Sequence, residues 1–216
     1  IKSLINYCAN FIFFCINIHL FILFLKKSNM TKKIAVFSSG RGGNFNNLCD
    51  YFEDFKNISV DLLVTNNLDS MSKKIADKKM IDSFYADKAI LISNNINTVL
   101  EEKKIDLIVL AGFTLKIPEK LVKKYARRIV NLHPSLLPKF GGKGMYGDKV
   151  HNAVLKSKEK FTGITIHYVD GVYDNGEVIF QKRCNLDLNE NLISLREKIR
   201  VLEYEFFPKT IEKILN

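Results

Sequence analysis

Cysteine is scarce in this chain and poorly spaced for joint work. The 216 residues hold four, Cys8, Cys15, Cys49 and Cys184, and no two form a C-x-x-C pair. That pattern excludes a disulfide framework and a zinc site, and it fits a reducing cytoplasm. No metal is expected. Internal repeats and low-complexity linkers are also missing, which excludes a solenoid and argues for one domain after the N-terminal stretch. Blocks of like charge are absent too. The formal net charge is +10, yet the lysines stand singly or in pairs, as at Lys32-Lys33 and Lys123-Lys124. Segments such as Ser157-Lys158-Glu159-Lys160 alternate sign and read as solvated surface. Nucleic acid is therefore not an expected partner. What is present is globular composition, 47% hydrophobic and 26% charged, enough to build a core.

Residues 4–25 are mostly apolar and Lys26-Lys27 follows them. About 20 apolar residues can span a bilayer. Asn6, Asn10, Asn17 and His19 interrupt the run, and polar groups at mid-membrane cost free energy. The run also lacks the small-residue cleavage site of a secretory signal. The division is residues 1–29, an apolar extension, and residues 30–216, the domain that carries every motif described below. The preferred reading makes Met30 the initiator and residues 1–29 a mis-called start, with a membrane anchor as the rival.

From Lys32 onward strands alternate with helices. Ile34 to Phe37, Val60 to Val64, Leu107 to Leu110 and Ile129 to His133 are short, nearly continuous apolar runs. Between them lie helical stripes, such as Phe45, Leu48, Phe52 and Phe55. Polar helices are expected from about Ser70 to Lys79, before Lys104 and from Pro118 to Tyr125, with a short strand near Phe84. Continuous apolar strands separated by helices predict an α/β fold, a doubly wound, mostly parallel sheet with helices on both faces. Near the C-terminus, Asp148 is placed to cap a short helix. Ile164 to Val169 and Val178 to Phe180 flank a short turn and should add to the sheet as an antiparallel pair. A closing helix carries Leu192, Leu195, Ile199, Leu202 and Phe206, and is expected to break near Pro208.

Three clusters at strand ends can carry chemistry. Ser39-Gly40-Arg41-Gly42-Gly43-Asn44 joins the first strand to the first helix. It is neither a G-x-G-x-x-G fingerprint nor a Walker A loop. Its glycines let backbone approach a ligand, and free N–H groups at the helix start favour an anion. A side chain at Gly42 is expected to fill the anion's place. A tight turn with no ligand is the alternative. Asn131 and His133 share one face of their strand. An amide and an imidazole side by side suit an oxyanion donor and a proton carrier, or a structural hydrogen-bonded pair. Asp174-Asn175-Gly176 reads equally as turn chemistry or as a catalytic loop.

Taken together, Leu110-Ala111-Gly112-Phe113, Asn131-Leu132-His133-Pro134-Ser135-Leu136-Leu137-Pro138, Gly163-Ile164-Thr165-Ile166-His167-Tyr168 and Asp174-Asn175-Gly176 resemble the 10-formyltetrahydrofolate-dependent formyltransferases. The match runs from about Lys32 to the C-terminus. Ser39 to Asn44 resembles the glycinamide ribonucleotide branch of that Rossmann-like family. The short architecture also matches that branch, whose relatives acting on tRNA or hydrolysing the formyl folate carry an extra domain.

The resemblance implies formyl transfer from 10-formyltetrahydrofolate to the amine of glycinamide ribonucleotide, a step of purine biosynthesis. It implies that Asn131 holds the formyl oxygen through its amide N–H, that His133 moves the proton and that Asp174 orients His133. The carboxylate beside it is expected to raise the His133 pKa. Gly42, Gly43, Asn44 and Glu203 would bind the ribonucleotide. Thr114, Leu115, Lys116, Ile117 and Asn131 would border the folate. Departures are Gly43, where many relatives have Ser, Gly171, and a glycine-rich loop from Phe140 to Gly147 in which Lys143 could meet an anion. The alternatives are a formyltransferase acting on an amino sugar nucleotide and a non-catalytic, membrane-tethered protein of this fold. Monomer and homodimer both remain open.

Overall fold

A computed structural model describes residues 31–216. The expectations for residues 1–29, initiator or anchor, lie outside the described residues. Among the described residues no helix is long and apolar enough to cross a membrane.

The chain alternates as the apolar runs require. Strand β1 (Lys32–Phe37) leads into α1 (Gly43–Phe52), β2 (Ile58–Thr65), α2 (Met71–Lys78) and β3 (Asp82–Tyr85). Helices α3 (Lys88–Ile92) and α4 (Asn95–Glu102) precede β4 (Leu107–Leu110), α5 (Glu119–Lys124) and β5 (Ile129–His133). Then come α6 (Asp148–Lys156), β6 (Phe161–Tyr168), β7 (Val178–Asn185) and the long α7 (Leu192–Leu215). The sheet has seven strands in the order β3-β2-β1-β4-β5-β6-β7. β1 to β5 pair parallel, while β6 pairs antiparallel with both β5 and β7. The expected antiparallel pair is present, and its first strand also reverses direction against β5.

Alternation along each strand divides the core into two. Ile34, Val36, Leu63, Val109 and Val130 meet Phe45, Leu48 and Phe52 of α1 and Leu195, Ile199 and Phe207 of α7. Ala35, Phe37, Leu62, Val64, Ile108 and Ile129 meet Leu91, Ile96, Leu100 and Leu121 on the other face. Side chains of period two, buried on both faces, explain why these strands read as unbroken apolar runs. Strand order reverses between β1 and β4. In an open α/β sheet that is where a crevice opens at the C-terminal strand ends.

Two local expectations are corrected. Asp148 is the first residue of α6 rather than its cap: Gly147 holds the cap position, with no side-chain cap bond. Asp148 instead forms a two-pronged ion pair with Arg196 of α7. Nor does the closing helix break at Pro208, which lies inside α7. Proline has no N–H for the carbonyl four residues earlier. That carbonyl belongs to Tyr204, and the Asn47 side-chain amide of α1 donates to it at 3.0 Å. A cross-helix donor replaces the missing ladder bond, so the helix continues.

This substitute bond generates a prediction. Asn47→Ala should leave the Tyr204 carbonyl without its donor and destabilise the protein by about 1–3 kcal/mol. A urea denaturation midpoint equal to that of the parent would show that solvent serves the carbonyl equally well.

Candidate active site

The ends of β1, β4 and β5 open into a cleft of about 590 Å³. One end is the turn after β1. Ser38 Oγ shares a 2.8 Å hydrogen bond with Ser72 Oγ, and the Gly40 carbonyl accepts from the backbone N–H of Ser72 at 3.2 Å. The turn is thus tied to α2. Gly42 caps α1 with φ +71°, and its carbonyl accepts from Asn46 N–H at 2.8 Å. The expectation for a side chain at Gly42 is corrected here. A Cβ would lie 2.9 Å from Ser72 Cα, so it would strike α2 rather than fill space at the mouth of the turn. Gly42 is demanded by backbone conformation and by this close approach.

Gly43 and Asn44 open α1 against the middle of α7. A Cβ on Gly43 would lie 2.6 Å from Tyr204 Oη. The absence of a side chain at 43 therefore makes room for a phenol delivered by α7. Asn44 Nδ2 donates to Glu203 Oε2 at 2.9 Å, while Asn44 Oδ1 is buried with no partner. Burial pushes the Glu203 carboxyl up to about 7, against the opposing pull of the Asn44 hydrogen bond. A carboxyl in that state can both accept and donate near neutral pH. Arg41, Arg196 and Arg200 also line this end.

The other end follows β4. Thr114, Leu115, Lys116 and Ile117 all line the cleft. Ser39 Oγ accepts from Thr114 N–H at 3.0 Å, which ties this segment to the first turn. Leu110, Ala111 and Val169 add apolar wall.

Asn131, His133 and Asp174 meet between the two ends. Register places Asn131 opposite His167 and His133 opposite Thr165. Asp174 stands in the loop after β6 with a left-handed backbone, φ +53°. Its Oδ2 lies 3.5 Å from His133 Nδ1 and accepts from Gly142 N–H at 2.9 Å. Its Oδ1 accepts from Asn131 Nδ2 at 3.3 Å and lies 3.7 Å from His167 Nε2. Burial pushes the Asp174 carboxyl up. The proximity of His167 and of His133 and the Gly142 N–H outweigh it, leaving the carboxyl below its ordinary value.

The imidazoles have different tautomers. His167 Nδ1 faces the Tyr168 carbonyl at 2.8 Å and so donates. Its Nε2 is then the acceptor for Asn131 Nδ2 at 3.0 Å. Both Asn131 amide hydrogens are therefore engaged, one by His167 and one by Asp174. His133 Nε2 faces the Phe140 carbonyl at 2.9 Å and carries its hydrogen there, which leaves Nδ1 as the basic nitrogen. The expected rise of the His133 pKa is corrected. His133 is 3% exposed, and that burial lowers its pKa below the ordinary value, although Asp174 and the Phe140 carbonyl pull it up. Desolvation of the charged form prevails over the neighbouring carboxylate.

Sequence reasoning missed His151, Arg196, Arg200 and Tyr204, and it gave His167 no role. The first four sit on α6 and α7, far along the chain from the strand ends. Their only signal was polarity at positions flanking the apolar stripe of a helix. Among the described residues no group of three or more His, Cys, Asp or Glu side chains is placed to hold a metal.

Comparison with known proteins identifies a family. A family model described as formyl transferase matches residues 32–211. The phosphoribosylglycinamide formyltransferase of Bacillus subtilis is 34% identical over 191 residues, covering 85% of this chain and 95% of its own length. The chloroplastic enzyme of that name from Arabidopsis thaliana is 36% identical over 190 residues, 85% of this chain, but the chain spans only 65% of that relative. A crystal structure of phosphoribosylglycinamide formyltransferase from Bacillus halodurans superposes with a TM-score of 0.78 at 31% identity, covering 86% of this chain and 96% of that one. Sequence motifs, sheet order and these likenesses converge, and the chain belongs to the formyl transferase family.

Proposed function

We propose that this protein transfers the formyl group of 10-formyltetrahydrofolate to the amine of glycinamide ribonucleotide, in purine biosynthesis. The observation that carries the reading is the meeting of Asn131, His133 and Asp174 midway between a glycine turn and an apolar slot. The turn suits a phosphate, through the free N–H groups at the start of α1. On this reading Gly42, Gly43, Asn44 and Glu203 hold the ribonucleotide. Thr114 to Ile117 flank a slot whose apolar wall fits a flat heterocycle, and Asn131 borders its inner end. The bound folate supplies an electrophilic formyl carbon.

The residues then act in sequence as the amine attacks that carbon. Asn131 serves the oxyanion through an amide N–H. The hydrogen bond it can release is the longer one, 3.3 Å to Asp174, because the 3.0 Å bond to His167 fixes which way the amide faces. His133 is neutral at rest and accepts the amine proton at Nδ1. Asp174 Oδ2, 3.5 Å away, stabilises the imidazolium so formed; the tetrahedral intermediate then collapses by cleavage of the bond between the formyl carbon and the folate nitrogen, which takes the proton from His133 and leaves as tetrahydrofolate. Positioning and oxyanion stabilisation carry the rate. The test is a folate-product absorbance assay with purified protein, glycinamide ribonucleotide and 10-formyltetrahydrofolate; no transfer by folded protein would overturn the reading.

Two kinds of prediction follow from the site, the first of rate. Removing one oxyanion donor costs about 10²–10³ in kcat, so Asn131→Ala should fall in that range with little change in folate binding. Asp174 raises the His133 pKa from its buried baseline. Asp174→Asn should therefore move the acid limb of the pH–rate profile to lower pH as well as lower kcat. Groups acting as a unit are non-additive. The double variant His133→Ala/Asp174→Asn should be little slower than the worse single variant, and multiplying losses would separate the two residues.

The second prediction concerns stability. The Glu203 carboxyl titrates at about 7 in the fold against an ordinary 4.5. The folded state thus holds a proton that the unfolded state has released, and stability falls as pH rises between those values. Glu203→Gln should keep its melting temperature better than the parent does from pH 5 to pH 8. Parallel melting curves would place the Glu203 titration at its ordinary value.

A further inference from the structure

His151 is the second imidazole of the cleft wall, and the reaction just described does not use it. It lies on α6, is 7% exposed and lines the cleft. Its Nδ1 is buried without a hydrogen-bond partner. Buried polar nitrogens are nearly always satisfied, and an unsatisfied one costs free energy. His167 is hydrogen-bonded at both ring nitrogens, so the contrast lies within one cleft. An unmatched hydrogen-bonding nitrogen on a ring that lines a ligand-sized cleft is available to a ligand.

Its neighbours locate the part of the ligand concerned. Asp148, one turn before His151 on α6, is paired with Arg196, and the charge of Arg41 in the glycine turn also reaches it. The charges of Asp148, Arg196 and His133 in turn reach His151. Asp148 thus lies within reach of the glycine turn and His151 within reach of His133, all on the wall of one cleft. A ribonucleotide with its phosphate at the turn and its amine at His133 lays its sugar across that wall. Burial and the Arg196 guanidinium both oppose a charge on His151, whereas Asp148 favours one; the net is a lowered pKa, led by burial. A neutral imidazole has one donor and one acceptor nitrogen, which matches a hydroxyl better than a phosphate dianion.

We propose that His151 is a positioning residue that hydrogen-bonds a ribose hydroxyl of the ribonucleotide and so sets the reach of the amine toward His133. This rests on the ribonucleotide reading of the site. The experiment compares two probes, ribose 5-phosphate and inorganic phosphate, by calorimetric titration of the full-length parent, His151→Phe and His151→Asn. Loss of one hydrogen bond predicts roughly tenfold weaker binding of ribose 5-phosphate to His151→Phe, with inorganic phosphate unchanged and partial recovery in His151→Asn. In turnover, KM for glycinamide ribonucleotide should rise by a similar factor while KM for the folate stays constant. Equal losses for both probes, an unchanged ribose 5-phosphate affinity, or equal rises in both KM values would overturn the proposal. If His151→Phe fails to fold, His151→Asn decides, since it should still weaken ribose 5-phosphate selectively. Parent protein that binds ribose 5-phosphate in this pattern without formylating glycinamide ribonucleotide would sink the reaction assigned above while leaving His151 as a sugar contact.

Discussion

The carboxylate of Asp174 is the tie on which the centre of this molecule depends. It accepts from Asn131 on β5 and from the backbone of Gly142, and it lies beside His133 and His167. A carboxylate so surrounded stays ionised inside a cleft that would otherwise favour its neutral form. Its charge offsets part of the desolvation that lowers the His133 pKa, and its two oxygens fix where the amide and the imidazole stand. Remove the charge and three side chains from two adjacent strands lose their common reference.

The sheet around that point was legible because burial on both faces leaves little room for polar residues. Ile34 to Phe37 and Leu107 to Leu110 read as strands without any neighbour in view, and both are strands in the fold. The motif residues were legible through family resemblance, and Asn131, His133 and Asp174 do stand together. What escaped depends on contacts across the chain. Pro208 carries the local signal of a helix break, and nothing nearby in sequence shows that Asn47 will serve the freed carbonyl. The His133 pKa was misjudged because a neighbouring carboxylate can be read from a motif, whereas the depth of burial cannot.

The two ends of the cleft have different physics. The slot after β4 is walled by Leu110, Ala111 and Val169 near strand ends and by the segment Thr114 to Ile117, which Ser39 ties to the first turn. The turn after β1 relies on α7, which supplies Glu203 to Asn44 and brings Arg196 to Asp148. Position along α7 is therefore a property of the glycine-turn end, and the packing of Leu195, Ile199 and Phe207 onto the sheet sets it.

The missing side chain at Gly43 has a consequence for how this site can change over time. The phenol of Tyr204 occupies the volume that a Cβ at 43 would need. A hydroxyl at the mouth of the turn is thus delivered by a distant helix rather than by the turn itself. A serine introduced at 43 alone meets the phenol head-on, and a smaller residue at 204 alone leaves the mouth with neither hydroxyl. The contact is with the far end of a side chain that can swing aside, so the two positions are coupled: a hydroxyl can come from either one, and gaining it at 43 displaces the phenol.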